Sequence, residues 1–156
     1  MDFKGILYPQ QVDAAAKMLA QDTGVLCAAT AFGKTAVGAY LVAQRKVNTL
    51  VLVHNAEIMK NWVGDSEKFL QIDEEPPEYI TPKGRHKKRK SVIGTLSCGR
   101  NTLGGILDIA MITSLGQGDE VKPLVRNYGM VIMDECHHAG AAIAEDVLNA
   151  ISAKYV

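Results

Sequence analysis

Cysteine is scarce and odd in number: Cys27, Cys98 and Cys136 are the only three, scattered along the chain. That set points to a reducing compartment rather than a disulfide framework. Neither sign of charge is in excess, since 17 Lys and Arg balance 17 Asp and Glu for a formal net charge of +0. No global field therefore draws the chain to nucleic acid, and any such surface must be a local patch. Apolar runs never approach the ~18 residues of a membrane span. The N-terminus carries no signal-peptide pattern. These absences lead us to expect a cytoplasmic protein without a membrane partner. Internal repeats and low-complexity tracts are also missing.

What is present is an ordinary globular composition: 156 residues, 47% hydrophobic and 22% charged. It is expected to form one domain over residues 1–156. A chain of this size buries about 68–70% of its unfolded surface, enough for a true core.

Strand-like and helix-like patterns alternate. Residues 10–20 space Val12, Ala15, Ala16 and Leu19 along one helical face. Residues 25–28 read as a strand and 35–44 as a helix. Residues 49–53, Thr-Leu-Val-Leu-Val, form an unbroken apolar run suited to a parallel strand covered on both faces. Residues 57–69 return to helical spacing with Ile58, Trp62 and Phe69, and Trp62 is expected in the core or on a helix face. Residues 73–82 form a polar turn region with three prolines, and 83–90 a basic run. Strands are expected at 91–96, 106–112 and 130–133, a short helix at 121–127 and a longer one at 141–153. Such alternation predicts βαβ units and an α/β fold with a mostly parallel sheet and helices on both faces. Ligands of such sheets sit at the carboxyl ends of the strands.

Two segments carrying chemistry follow strands directly. The first is Ala28-Ala29-Thr30-Ala31-Phe32-Gly33-Lys34-Thr35. A strand, a loop of small residues, Gly-Lys-Thr and a helix make the layout of a phosphate cradle. Backbone N–H groups of Thr30, Ala31, Phe32 and Gly33 and the helix dipole favour an anion there. Lys34 supplies a mobile cation for the β- and γ-phosphates, and the Thr35 hydroxyl suits Mg²⁺. Ala28 and Ala31 stand where the general pattern tends to carry glycine.

The second is Asp134-Glu135 at the end of Met130-Val131-Ile132-Met133. A buried strand ending in two carboxylates is expected to have a task. Asp134 can hold Mg²⁺ opposite Thr35. Glu135 can orient and deprotonate a water attacking the γ-phosphate.

Asp-Glu-Cys-His at 134–137, together with Gly-Lys-Thr, resembles the superfamily-two DExH-box helicases and translocases, and most closely the group of type III restriction subunits and excision-type repair helicases. The resemblance covers residues 7–156. It implies a RecA-like P-loop NTPase domain that binds ATP and Mg²⁺ and moves on nucleic acid, with DNA favoured over RNA and RNA left open. Leu7-Tyr8-Pro9-Gln10-Gln11 resembles the family's Gln motif, which makes Gln11 the adenine-reading amide. The run ending in Val53-His54-Asn55 resembles motif Ia. The run Asp108 to Leu115, with Met111 and Thr113 in place of the usual Thr and Gln, resembles a second strand-end motif. Together these imply nucleic-acid contacts at His54, Asn55, Thr113 and Ser114. His137 is implied to couple the nucleotide and nucleic-acid sites. The resemblance further implies a second RecA-like domain with an arginine finger, so this chain is expected to be the first motor domain of a larger protein and nearly inactive as an ATPase alone.

Two other classes fit parts of the pattern. A small-molecule phosphotransferase would use the same loop, with the basic run as a lid. A non-catalytic nucleic-acid-binding module with a decayed site would account for Ala28 and Ala31. The basic run is expected to be a solvated loop, since no aromatics interleave with it. Zinc at Cys136, His137 and His138 is disfavoured by the lack of a second ligand cluster.

Overall fold

The structure, a computed structural model, describes residues 1–29, 31–81, 83–116, 123–136 and 142–156. Two residues assigned a role above, Thr30 and His137, lie outside them.

A five-stranded sheet forms the centre, built from β2 (Thr49–Val53), β6 (Ile93–Ser97), β7 (Arg100–Asn101), β8 (Leu107–Met111) and β9 (Met130–Met133). Its order is β7-β6-β8-β2-β9. β6, β8, β2 and β9 run parallel, and short β7 returns antiparallel along β6. Every residue of β2 is buried, which is why its sequence shows no polar alternation. Leu50 and Leu52 pack with Ala110, Val131, Ala144 and Val147 on one face. Val51 and Val53 pack with Val42, Met59, Trp62 and Ile109 on the other. Helices α2 (Lys34–Arg45) and α3 (Ala56–Phe69) cover the second face, and α4 (Ala142–Ala150) covers the first. The mostly parallel α/β sheet with helices on both faces is therefore present.

Helix α1 (Pro9–Leu19) packs on α2 through Ala15, Val37 and Leu41. Proline at its first position has no N–H to leave unsatisfied. α3 starts at Asn55, whose Oδ1 accepts from the Ile58 N–H at 2.9 Å, an N-terminal cap.

Three expectations need correction. Residues 25–28 are not a strand. The free edge of β9 is met instead by Tyr155, which bridges Met130 in parallel, while Val156 exchanges backbone hydrogen bonds with Asp22 and Gly24. With no strand edge beside it, the apolar run 25–28 lines a cleft of about 610 Å³ between α2 and β9. The basic run is not a plain loop: β4 (Glu78–Ile80) and β5 (His86–Lys88) pair antiparallel as an exposed hairpin. The short helix near residue 121 is a 3-10 helix over Pro123–Asn127, and residues 121 and 122 lie outside the described set. A further small sheet joins β1 (Asp2–Phe3) to β3 (Leu70–Gln71).

Asp108 is fully buried at 0% exposure. Its carboxylate accepts from the Gly104 N–H (2.9 Å), the Gly105 N–H (2.7 Å) and the Tyr128 hydroxyl (2.6 Å). Burial and the adjoining Asp108 push the Tyr128 hydroxyl above its ordinary pKa. The network ties the entry to β8 to the segment before β9, and so fixes the sheet that presents the site.

Candidate nucleotide site

The register of the parallel strands brings the chemical segments to one edge. Val53 pairs with Met111, and Leu52 with Met133. Residues 54–55, 112–114 and 134–135 thus leave three neighbouring strands at their carboxyl ends. The Asp134 N–H still donates to Leu52 O at 3.0 Å, so the first carboxylate is held by the last rung of the ladder.

Lys34 is the first residue of α2. Its Nζ lies 3.4 Å from Ala28 O and 4.0 Å from Glu135 Oε1. The Gly-Lys-Thr lysine and the strand-end glutamate therefore share one mouth of the cleft, and both are about a third exposed. Thr35 follows in the first turn. Glu135 turns sharply, with φ 56°, and its N–H donates to Asp134 Oδ1 at 2.9 Å.

The loop before Lys34 is held by Gln11. This residue is 4% exposed. Its Nε2 donates to Phe32 O at 2.7 Å, and its Oε1 accepts from the Tyr8 N–H at 2.8 Å. Gly33 has φ 82°, and a Cβ there would stand 2.5 Å from Gln11 Nε2. Glycine is demanded both by the backbone and by the amide packed against it. Ala31 takes a left-handed φ of 68° without being glycine.

Trp62 was expected in the core or on a helix face, and it lies in the core, 3% exposed. The sequence did not reveal that its indole N–H donates to Asp134 Oδ2 at 2.8 Å. A lone tryptophan on an amphipathic helix carries no local signal of a partner on a distant strand. His54 is half-buried after β2, Asn55 caps α3, and Thr113 and Ser114 lie in the 3-10 turn Ile112–Ser114 after β8. These four line the same sheet edge as Asp134. The cysteines Cys27, Cys98 and Cys136 are exposed and free.

Among the described residues no group of three His, Cys, Asp or Glu side chains could hold an ion. Asp134, which lines the cleft with Lys34, and the Thr35 hydroxyl in the first turn of α2 are hard oxygens, the kind of donor Mg²⁺ takes one or two of before phosphate oxygens and water complete its shell. No helix among the described residues is long and apolar enough to cross a membrane.

The chain is similar to known proteins over much the same span. It is 24% identical over 160 residues to a protein of Acanthamoeba polyphaga mimivirus named "Putative ATP-dependent RNA helicase L396", covering 100% of this chain and 27% of that protein. It is 25% identical over 128 residues to the DNA 3'-5' translocase XPB2 of Sulfurisphaera tokodaii, covering 82% of this chain and 24% of the relative. The chain thus spans about a quarter of the length of the curated relatives it matches. Residues 4–156 match the family described as type III restriction enzyme, res subunit. With a Gly-Lys-Thr loop and an Asp-Glu strand end meeting at the carboxyl edge of a parallel sheet, the chain belongs to that family of superfamily-two motors.

Proposed function

We propose that this chain is the ATP-binding motor domain of a nucleic-acid helicase or translocase. The observation that carries the reading is the approach of Lys34 Nζ to within 4.0 Å of Glu135 Oε1 across the mouth of the cleft. A cation for phosphate and a candidate base for water meet there, beside a second carboxylate.

ATP would place its phosphates on the loop before α2. Lys34 and the backbone N–H groups of residues 30–33 would hold the β- and γ-phosphates. Thr35 and Asp134 would hold Mg²⁺, which when bound neutralises charge on the phosphate oxygens. Glu135 would orient the attacking water and take its proton. Gln11 spends one amide hydrogen and one oxygen lone pair on Phe32 and Tyr8. The hydrogen and lone pair left over match an adenine edge. His54, Asn55, Thr113 and Ser114 would meet the backbone of nucleic acid, with DNA favoured over RNA. His137 would link the two sites.

The domain would span residues 1–156, work in the cytoplasm and pair with a second RecA-like domain of the same protein. An arginine finger from that partner is worth roughly 10³–10⁵ in kcat, so this domain alone would bind nucleotide and turn it over slowly. Ala31 adopts the left-handed conformation that glycine would otherwise supply, which supports an intact loop over the decayed-site alternative.

The test is calorimetric titration of ATP with and without Mg²⁺ into this chain and its Lys34→Ala variant. Magnesium-dependent binding weakened by the substitution supports the reading. Binding indifferent to both would overturn it.

A further inference from the structure

Trp62 is the only tryptophan of the chain. Its ring lies against α2 at Gly38, where a Cβ would come within 2.6 Å of the indole Cη2. The bare backbone at Gly38 therefore lets the ring sit deep between α2 and α3, packed with Val51, Val53 and Met59. From that fixed seat the indole N–H reaches Asp134 Oδ2 at 2.8 Å.

An indole nitrogen donates and never accepts. A backbone carbonyl would satisfy it as well as any side chain. The acceptor here is instead the carboxylate at the tip of β9, beside Glu135 and in the cleft that also holds Lys34. The other carboxylate oxygen, Oδ1, accepts from the Glu135 N–H. Each oxygen of Asp134 thus has one donor bound to it. An ionised carboxylate offers about four lone-pair sites, so each oxygen keeps one more for a cation or its water.

We propose that Trp62 is a positioning residue for the cation site. Its N–H sets the rotation of the Asp134 carboxylate so that the remaining lone pairs face the cleft. A ring wedged against Gly38 is a stiffer donor than a hydroxyl or a water, and it couples the carboxylate to the helix that begins with Lys34. The inference rests on the nucleotide reading above. Trp62 is bonded to Asp134, and it acts on the cation through that carboxylate.

Trp62→Phe keeps an aromatic ring in the core and removes the N–H. Removing a group that orients a metal ligand typically weakens metal affinity about 10–100-fold. In the full chain, ATP binding in EDTA is expected to stay within about twofold of the unmutated protein. The apparent Mg²⁺ affinity of the ATP complex is expected to fall at least about 10-fold. Equal Mg²⁺ dependence in the two proteins overturns the proposal. If the unmutated protein binds no ATP under either condition, the nucleotide reading falls first and takes the proposal with it.

A second readout needs no substitution at Trp62. Its emission, as the only tryptophan, is expected to shift when Mg²⁺ is titrated onto the ATP complex, and the shift is expected to vanish in Asp134→Asn. Calorimetric Mg²⁺ binding with unchanged emission overturns the proposal, even where Trp62→Phe fails to fold.

Discussion

The side-chain amide of Gln11 occupies the space that a β-carbon on residue 33 would need, 2.5 Å from where that atom would lie. The same amide donates to Phe32 O, so the start of α1 and the phosphate loop are built as one unit. Gly33→Ala must both displace Gln11 and hold an alanine at φ 82°. A left-handed alanine alone costs roughly 1–2 kcal/mol. Folding stability is expected to drop by about 2 kcal/mol or more once the lost Gln11 hydrogen bond is included. ATP affinity is expected to fall with it, as denaturant melts and calorimetry would read. A variant with unchanged stability and affinity would show that the loop has room to move.

Ala31 gives the opposite sign. It already sits at φ 68°, a conformation glycine adopts without strain. Ala31→Gly relieves roughly 1–2 kcal/mol of strain while the freer unfolded chain takes back about 0.4–1 kcal/mol. The expected net effect is a stabilisation between about 0 and 1.6 kcal/mol, measured by urea denaturation. A loss of more than about 1 kcal/mol would mean that Ala31 packs in a way its backbone does not reveal.

Lys34 and Glu135 are expected to separate binding from chemistry. Lys34→Ala removes a charged contact to phosphate worth about 1.5–3 kcal/mol, so ATP affinity is expected to fall by roughly 10–150-fold. Glu135→Gln keeps the shape of the side chain and removes its basicity. Binding is expected to persist while hydrolysis in the assembled motor falls by about 10²–10⁴. Loss of ATP binding in Glu135→Gln would assign that side chain to the architecture of the turn.

The Asp108–Tyr128 pair predicts a pH dependence at the alkaline end. The folded-state pKa of Tyr128 is raised above the ordinary value of 10.0 by burial and by Asp108. Above about pH 10 the unfolded chain therefore loses a proton that the folded one retains, and stability falls as pH rises. Below that pH the contribution is complete. Tyr128→Phe is expected to flatten the alkaline decline, at a cost of about 1–3 kcal/mol near neutral pH for the lost hydrogen bond to a buried carboxylate. Chemical denaturation across pH 8–11 would read both effects.

The legible parts of the fold were those with a one-dimensional signature. Thr49–Val53 and Met130–Met133 stand out because strands covered on both faces need unbroken apolar runs. The positions of Lys34 and Thr35 at the start of α2 and of Asp134 and Glu135 after β9 were legible because each lies at a fixed offset from a helix or strand boundary. The β4–β5 hairpin left no trace, since all six of its residues are exposed and a strand with no buried face shows no apolar alternation. Residues 25–28 have the composition of a strand, but pairing depends on which edge lies nearby, and Tyr155 meets the edge of β9. The Trp62–Asp134 hydrogen bond was invisible for a similar reason: it arises where α3 crosses the sheet, far from either residue's neighbours in sequence.

The claim most exposed to measurement is that Lys34 and Asp134 act on one magnesium nucleotide. A double-mutant cycle of Lys34→Ala and Asp134→Asn, read as Mg²⁺·ATP affinity by calorimetry, tests it directly. Side chains that share a ligand are expected to couple by about 0.5–3 kcal/mol, so that the double variant loses less than the sum of its parts. Losses that add to within about 0.5 kcal/mol would contradict the claim and place the two residues at separate sites.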